Sequence, residues 1–195
     1  MALNSYSALK DSVAAWLNEA DLVARIPDFV ALAEAVINRR VDHRLMVGVA
    51  TLGVGNGRAT LPEDFTAVRA VRVGGERLDF VTLDAYAARG TGMARHYSLA
   101  GDHMLFDQTV TTATLVYSRQ VPPLSENGDN WLLDAFPDVY LYGTLSQAAP
   151  YAEDSERAAT WAQLFDTAIR EINADGQNQS FGGTLQTDNG QPRTY

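Results

Sequence analysis

Three histidines, His43, His96 and His103, are the residues from which metal or proton chemistry would have to start. His96 and His103 read as sitting on opposite arms of one hairpin, where paired imidazoles could hold a metal. Only Asp102, beside His103, has suitable spacing as a further ligand, so the plainer reading is surface histidines. Two pairs of adjacent carboxylates come next, Glu63-Asp64 and Glu153-Asp154. Adjacent side chains diverge, whereas a glycosidase needs two acids facing each other across a cleft. Both pairs lie next to turns, where acids serve as caps. The sequence has no G-x-S-x-G nucleophile turn and no G-x-x-x-x-G-K-[ST] phosphate loop. GVGNG at 53–57 lacks a following helix and a third glycine, so it reads as a hairpin turn. There is no cysteine, which removes disulfides, zinc–thiolate sites and a cysteine nucleophile. The expectation is a non-enzymatic chain with no cofactor, no metal and no catalytic residue.

Charge is more informative than reactive groups. The chain of 195 residues carries a net charge of −9, with a pI near 4.7. A nucleic-acid binder would show a basic surface instead. Its basic residues are fourteen arginines and the single Lys10. Between Arg119 and Arg157 seven acids occur and no base. The opposite bias appears at Arg39, Arg40 and Arg44, with Arg40 and Arg44 expected one helical turn apart. Either this is a solvated face partly neutralised by Glu34 and Asp42, or it is a basic patch that meets the acidic patch of another copy. The N-terminus lacks a basic segment followed by an apolar run, so no secretory signal is read there. No window approaches the roughly 18 unbroken apolar residues of a membrane span. A soluble protein, cytoplasmic when made and without a membrane partner, is expected.

The elements that must position these residues fall into three blocks. Apolar periodicity predicts a helix over 5–19, with Leu9, Val13, Trp16 and Leu17 on one face. A second begins near Pro27, a residue suited to the first helical turn, with Phe29, Ala33, Val36, Ile37 and Val41 as its stripe. From Met46 to Gln120 the pattern shortens to six or seven strands joined by hairpins, one of them around Gly55-Asn56-Gly57. A short helix capped by Thr82 interrupts them. After a Pro122-Pro123 loop, a short turn at 131–135 leads to a helix restarting at Pro137, where proline avoids a clash with the preceding turn. Val139–Ala149 is apolar almost all round, so this helix should be buried on more than one side. A last helix opens at Asp154 or Ser155 and sets Ala158, Trp161, Phe165, Ala168, Ile169 and Ile172 on one face.

The fold class is therefore α+β. About four helices from both chain ends, residues 1–45 and 121–174, form a bundle. Residues 46–120 form an inserted antiparallel lobe, sandwich-like or barrel-like. Residues 175–195 are rich in Gly, Gln, Asn and Thr and read as a flexible C-terminal arm, in which Phe181, Leu185 and Tyr195 stand out as contact points.

The stretch NWLLDAFPDVYLYGTLSQAAPY, with its PPLSENGDNWLL lead-in and the earlier LPEDF turn, resembles the helical motif of phage head–tail adaptor proteins. These are the connector, or tail tubular protein A-like, proteins of short-tailed phages. The resemblance spans roughly residues 5–173. It implies a structural virion protein at the head–tail junction, made in the host cytoplasm. It further implies a twelve-subunit ring under the portal that extends the DNA channel to the tail. The partners implied are the portal ring, a downstream tail or nozzle protein, further copies of the chain, and genomic DNA that passes without specific binding. By position the arm would reach the portal, with Phe181, Leu185, Arg193 and Tyr195 as contacts. Subunit contacts would fall to Arg39, Arg40 and Arg44 and to the aromatic surplus of Trp131, Tyr140, Tyr142 and Tyr151. Acidic walls suit such a channel because they repel phosphate. Three rival readings remain at this stage. One is another head-completion or tail-assembly protein. Another is a virion-borne cell-wall hydrolase using Glu63 or Asp64. The last is a DNA-binding module using Arg39, Arg40 and Arg44.

Overall fold

The computed structural model describes residues 3–88, 95–106, 109–152 and 155–180. In chain order the elements begin with helices α1 (Tyr6–Leu17) and α2 (Ile26–Arg40), then strands β1 (Val47–Gly53), β2 (Arg58–Thr60), β3 (Phe65–Val73), β4 (Glu76–Arg77) and β5 (Asp79–Phe80). Helix α3 (Leu83–Ala87) precedes β6 (His96–Ala100), β7 (His103–Leu105) and β8 (Thr112–Arg119). Helices α4 (Leu124–Asn127), α5 (Trp131–Ala135), α6 (Pro137–Ala148) and α7 (Ser155–Ser180) follow, with short 3-10 turns at Ala20–Arg25, Arg44–Met46 and Ala149–Tyr151. The protein is α+β, as its sequence pattern implies. Among the described residues, contacts divide the chain into two compact units. One takes the residues up to Arg44 and those from Leu132 onward; the other is Leu45–Trp131.

The helical unit is built from α1, α2, α6 and α7. Ser5 caps α1 by accepting from the Ala8 N–H, and Asn18 ends it in the left-handed conformation, φ 53°. Prolines stand in the first turns of α2 and α6, each followed by an aspartate that favours the positive end of the helix dipole. Helix α6 is the centre: Val139, Tyr140, Thr144, Leu145 and Ala148 are completely buried, which accounts for its apolar composition on nearly every side. Burying each side chain of leucine size stabilises the unit by about 1.5–3 kcal/mol. Gly143 is the point of closest approach. A Cβ there would lie 2.9 Å from the Phe165 ring of α7 and 3.3 Å from the Ala33 methyl of α2. Trp16 departs from expectation, being 49% exposed beside the buried Leu9, Val13 and Leu17. It sits at the edge of the apolar stripe, and its ring meets Tyr142 edge-on at 6.4 Å.

Unit Leu45–Trp131 holds two four-stranded sheets, ordered β1-β8-β3-β4 and β2-β7-β6-β5. Both feed one apolar cluster that includes Leu52, Val71, Leu78, Met104, Phe106 and Leu115. Among the described residues eight strands are present where six or seven were expected, because the chain breaks β4 and β5 into two-residue pieces. Pairing is antiparallel except between β5 and β6, which run parallel with α3 in the connection. The turn after β1 forms as expected, with Asn56 at φ 51° and Gly57 at φ 73° closed by paired Gly55–Arg58 bonds. Its arms then diverge: β1 joins one sheet and β2 the other.

Candidate functional site

Within the β unit His96 and His103 do not converge. His43 is buried, not on the surface, and its Nε2 lies 3.3 Å from Asp175 Oδ2. His103 pairs in register with Ala100, next to the hairpin tip, while His96 pairs with Asp79 at the far end of β6. Among the described residues no group of three or more His, Asp or Glu is placed to hold a metal ion. The Glu63-Asp64 pair also separates. Glu63 is exposed, and Asp64 accepts the Tyr117 hydroxyl at 2.9 Å while its carbonyl accepts from the Gln120 N–H. Burial, then the Asp64 hydrogen bond and charge, push the Tyr117 pKa above its ordinary value of 10.0, with Arg119 opposing. Asp64 therefore anchors the start of β3 to β8. Glu153 and Asp154 lie outside the described residues.

The expected arginine patch is rearranged. Helix α2 stops at Arg40, because Val41 turns to extended backbone at φ −88°, ψ 129°. Arg44 therefore opens a 3-10 turn and is not one helical turn beyond Arg40. Arg40 forms an ion pair with Asp166 of α7 at 2.7 Å, and Arg39 is exposed. The aromatic candidates also part. Tyr140 is entirely a core residue of the helical unit. Tyr142 and Trp131 are half-buried, and Tyr151 is 56% exposed with its ring 5.2 Å from that of Phe29. Phe181, Leu185, Arg193 and Tyr195 lie outside the described residues.

What the helical unit does build is a clamp on the C-terminal turn of α2. Asn173 of α7 donates to the Arg40 carbonyl at 3.0 Å and accepts from the Asp42 N–H at 2.8 Å. Asp175 meets the His43 ring, and a Cβ on Gly176 would stand 2.9 Å from the Asp42 carbonyl oxygen. These contacts carry α7 on to Ser180, through residues 175–180 that composition alone assigned to the arm. Composition failed there because the stabilisation comes from partners more than 130 positions earlier. Nothing in the spacing of Asn173 or Asp175 signals those partners. A separate cavity of about 340 Å³ lies beside α1 and is lined mainly by Leu3, Ala15, Trp16 and Leu141, with Asp11 and Ser12.

The described residues thus make an α+β chain of two units, one helical and one of antiparallel sheets. The chain matches the SU10 adaptor protein family over residues 4–188 and belongs to it. No curated protein matches the chain. The family is one of phage adaptors, which makes this chain a structural component of the virion and fits the head–tail adaptor resemblance of residues 122–151. Among the described residues no helix is long and apolar enough to cross a membrane.

Proposed function

We propose that the chain is a head–tail adaptor that assembles as a ring, twelvefold in the reading the resemblance gives, docks beneath the portal and continues the DNA channel to the tail. The observation that carries this reading is the adaptor-family match, which runs through both units without a break. The clamp gives it a physical rationale. It ties α7 to α2 as far as Gly176, so the residues that follow start from a fixed point on the helical unit. Those residues, including Phe181, Leu185, Arg193 and Tyr195, are the proposed portal anchor. A short segment of modest affinity would hold firmly when repeated around a ring. Net negative charge suits a conduit through which DNA slides.

The test is co-sedimentation with the cognate portal ring. The truncation belongs after Ser180, since a cut at 174 would also remove Asp175 and Gly176 from the clamp. Full-length chain is expected to bind at one copy per portal subunit, and the 1–180 chain to lose binding while keeping its helical content. Equal binding by both would remove the arm from the mechanism, and binding by neither would count against the adaptor reading itself.

A further inference from the structure

We propose that the open edge of β1 pairs antiparallel with β1 of a second copy of this chain, Val49 opposite the partner's Thr51, so that two β units share one continuous sheet. The pairing belongs to the free chain and does not rest on the ring reading.

The backbone register shows which groups are open. The Val54 N–H donates to the Thr111 carbonyl at 2.8 Å, and this pair continues the register of β1 on β8. Hydrogen-bonded and non-hydrogen-bonded pairs alternate along an antiparallel ladder. Gly48, Ala50 and Leu52 therefore bond to β8, and Val47, Val49, Thr51 and Gly53 turn their N–H and C=O groups away from it, toward the edge. Val49 is 70% exposed, and Thr51 and Gly53 are exposed beside it. Among the described residues nothing hydrogen-bonds to Val49 or Thr51 on that side. Edges are commonly blunted by charge, proline or a bulge, and VGVATLG has none of these.

Length selects the occupant. An edge of seven residues calls for a strand of similar length whose own edge is open. The two sheets end in β1 and β4 and in β2 and β5. Strand β2 has three residues, and β4 and β5 have two each. Among the described strands only β1 can offer such an edge, so the matching strand is β1 of another copy.

The open groups also fix the register. Centred on Ala50, the two strands set Val47 opposite Gly53 and Val49 opposite Thr51, each taken twice. All four outward residues of each copy are then paired, whereas a slip of two residues leaves one of them unpaired. Leu52 fills the core, and the four outward residues alternate with it, so their side chains share the opposite face. There Val49 meets a second β-branched residue, a favourable cross-strand pair. No like charges meet at the seam, because the arginines of this sheet lie on β3 and β4, or at Arg119 beyond the pairing. The contact is isologous and closes at two copies. It cannot run round a ring, so joining a ring must open it. Until then it covers the longest open edge among the described strands.

The cysteine-free chain makes the test direct. Free Val49→Cys and Thr51→Cys chains are mixed in equal amounts and oxidised. Opposite residues stand about 5.5 Å apart between Cα atoms, within disulfide reach, whereas identical positions lie on a diagonal of about 7–8 Å. The mixture is expected to give disulfide dimers at several times the yield of either variant alone. Sedimentation of the unmodified chain should show monomer giving way to dimer as concentration rises. Thr51→Lys should weaken that dimer several-fold with circular dichroism unchanged. Thr112→Lys, exposed on the interior strand β8, should leave it intact. A chain that stays monomeric when concentrated would overturn the proposal, as would equal disulfide yield from Val49→Cys alone. Loss of the dimer on truncation after Ser180 would overturn it too, by giving the edge to the C-terminal arm. Portal binding enters none of these measurements, so the adaptor reading is tested apart from them.

Discussion

The side-chain amide of Asn173 donates a hydrogen bond across 3.0 Å to the carbonyl oxygen of Arg40, the last residue of α2. The same amide accepts from the Asp42 N–H, so one side chain satisfies a helix-end carbonyl and the second amide beyond it. Because Asn173 belongs to α7, the C-terminal cap of one chain end is supplied by the other. Closing that long loop costs chain entropy, and the clamp contributes only once the helices have packed.

Replacing Asn173 with Ala should remove both bonds while leaving the helix propensity of α7 slightly improved. A loss of about 1–2 kcal/mol is expected, as for a lost helix cap. Denaturant unfolding of the helical unit measures it. An unchanged midpoint would mean that water replaces the amide at no cost.

Gly176→Ala sets two effects against each other. Alanine is better in a helix by about 1 kcal/mol. The new methyl, however, would stand 2.9 Å from the Asp42 carbonyl oxygen and 3.1 Å from the His43 Cα, both backbone atoms that cannot swing aside. Overpacking of this sort costs about 1–3 kcal/mol, so net destabilisation is expected. Gln177→Ala, at an exposed neighbour, should change stability by less than about 0.5 kcal/mol. A thermal midpoint raised by Gly176→Ala would show that α7 does not press on Asp42 in solution.

How far the sequence discloses this molecule depends on whether a feature is local. Pro27 and Pro137 mark helix starts through their own ring geometry, and Asn56-Gly57 marks a turn through its own backbone freedom. The apolar wrap of α6 discloses burial because Val139, Tyr140 and Leu145 each need a packed side. Arg40 and Arg44 misled for the converse reason. Their four-residue spacing implies one face only if the helix continues, and Asn173 ends it. His43 likewise resembles any polar surface residue until Asp175 is placed beside it. Val49 reads as half of an alternating strand, and only the sheet order reveals that its strand lies at an edge.

Thr144 lies at the centre of α6 and is completely buried, and among the described residues its hydroxyl has no hydrogen-bond partner. A buried, unpaired hydroxyl costs roughly 1–3 kcal/mol relative to an apolar group of the same shape. Thr144→Val keeps the shape and the β-branch. It should therefore raise the stability of the helical unit by about 1 kcal/mol, moving the midpoint by roughly 2–4 °C. Calorimetry of both chains decides the matter, and a fall in the midpoint would reveal a partner for the hydroxyl.

Tyr117 gives the β unit a dependence on alkaline pH. Its pKa is raised above 10.0, chiefly by burial and then by the carboxylate of Asp64. A raised tyrosine pKa means that folding favours the neutral phenol. Its contribution is complete below pH 10.0 and is lost as pH rises through the folded value. Tyr97, in the same unit, is raised in the same direction by burial, so a residual slope will remain without Tyr117. Tyr117→Phe should lower stability near neutral pH by about 1 kcal/mol, because Asp64 loses a hydrogen-bond donor. Above pH 10 the two chains should converge, since the phenylalanine variant has one less proton to lose. Urea unfolding at pH 8 and at pH 10.5, followed by near-ultraviolet absorbance of tyrosinate, tests both halves. Parallel loss of stability in the two chains would remove Tyr117 as the source of the alkaline slope.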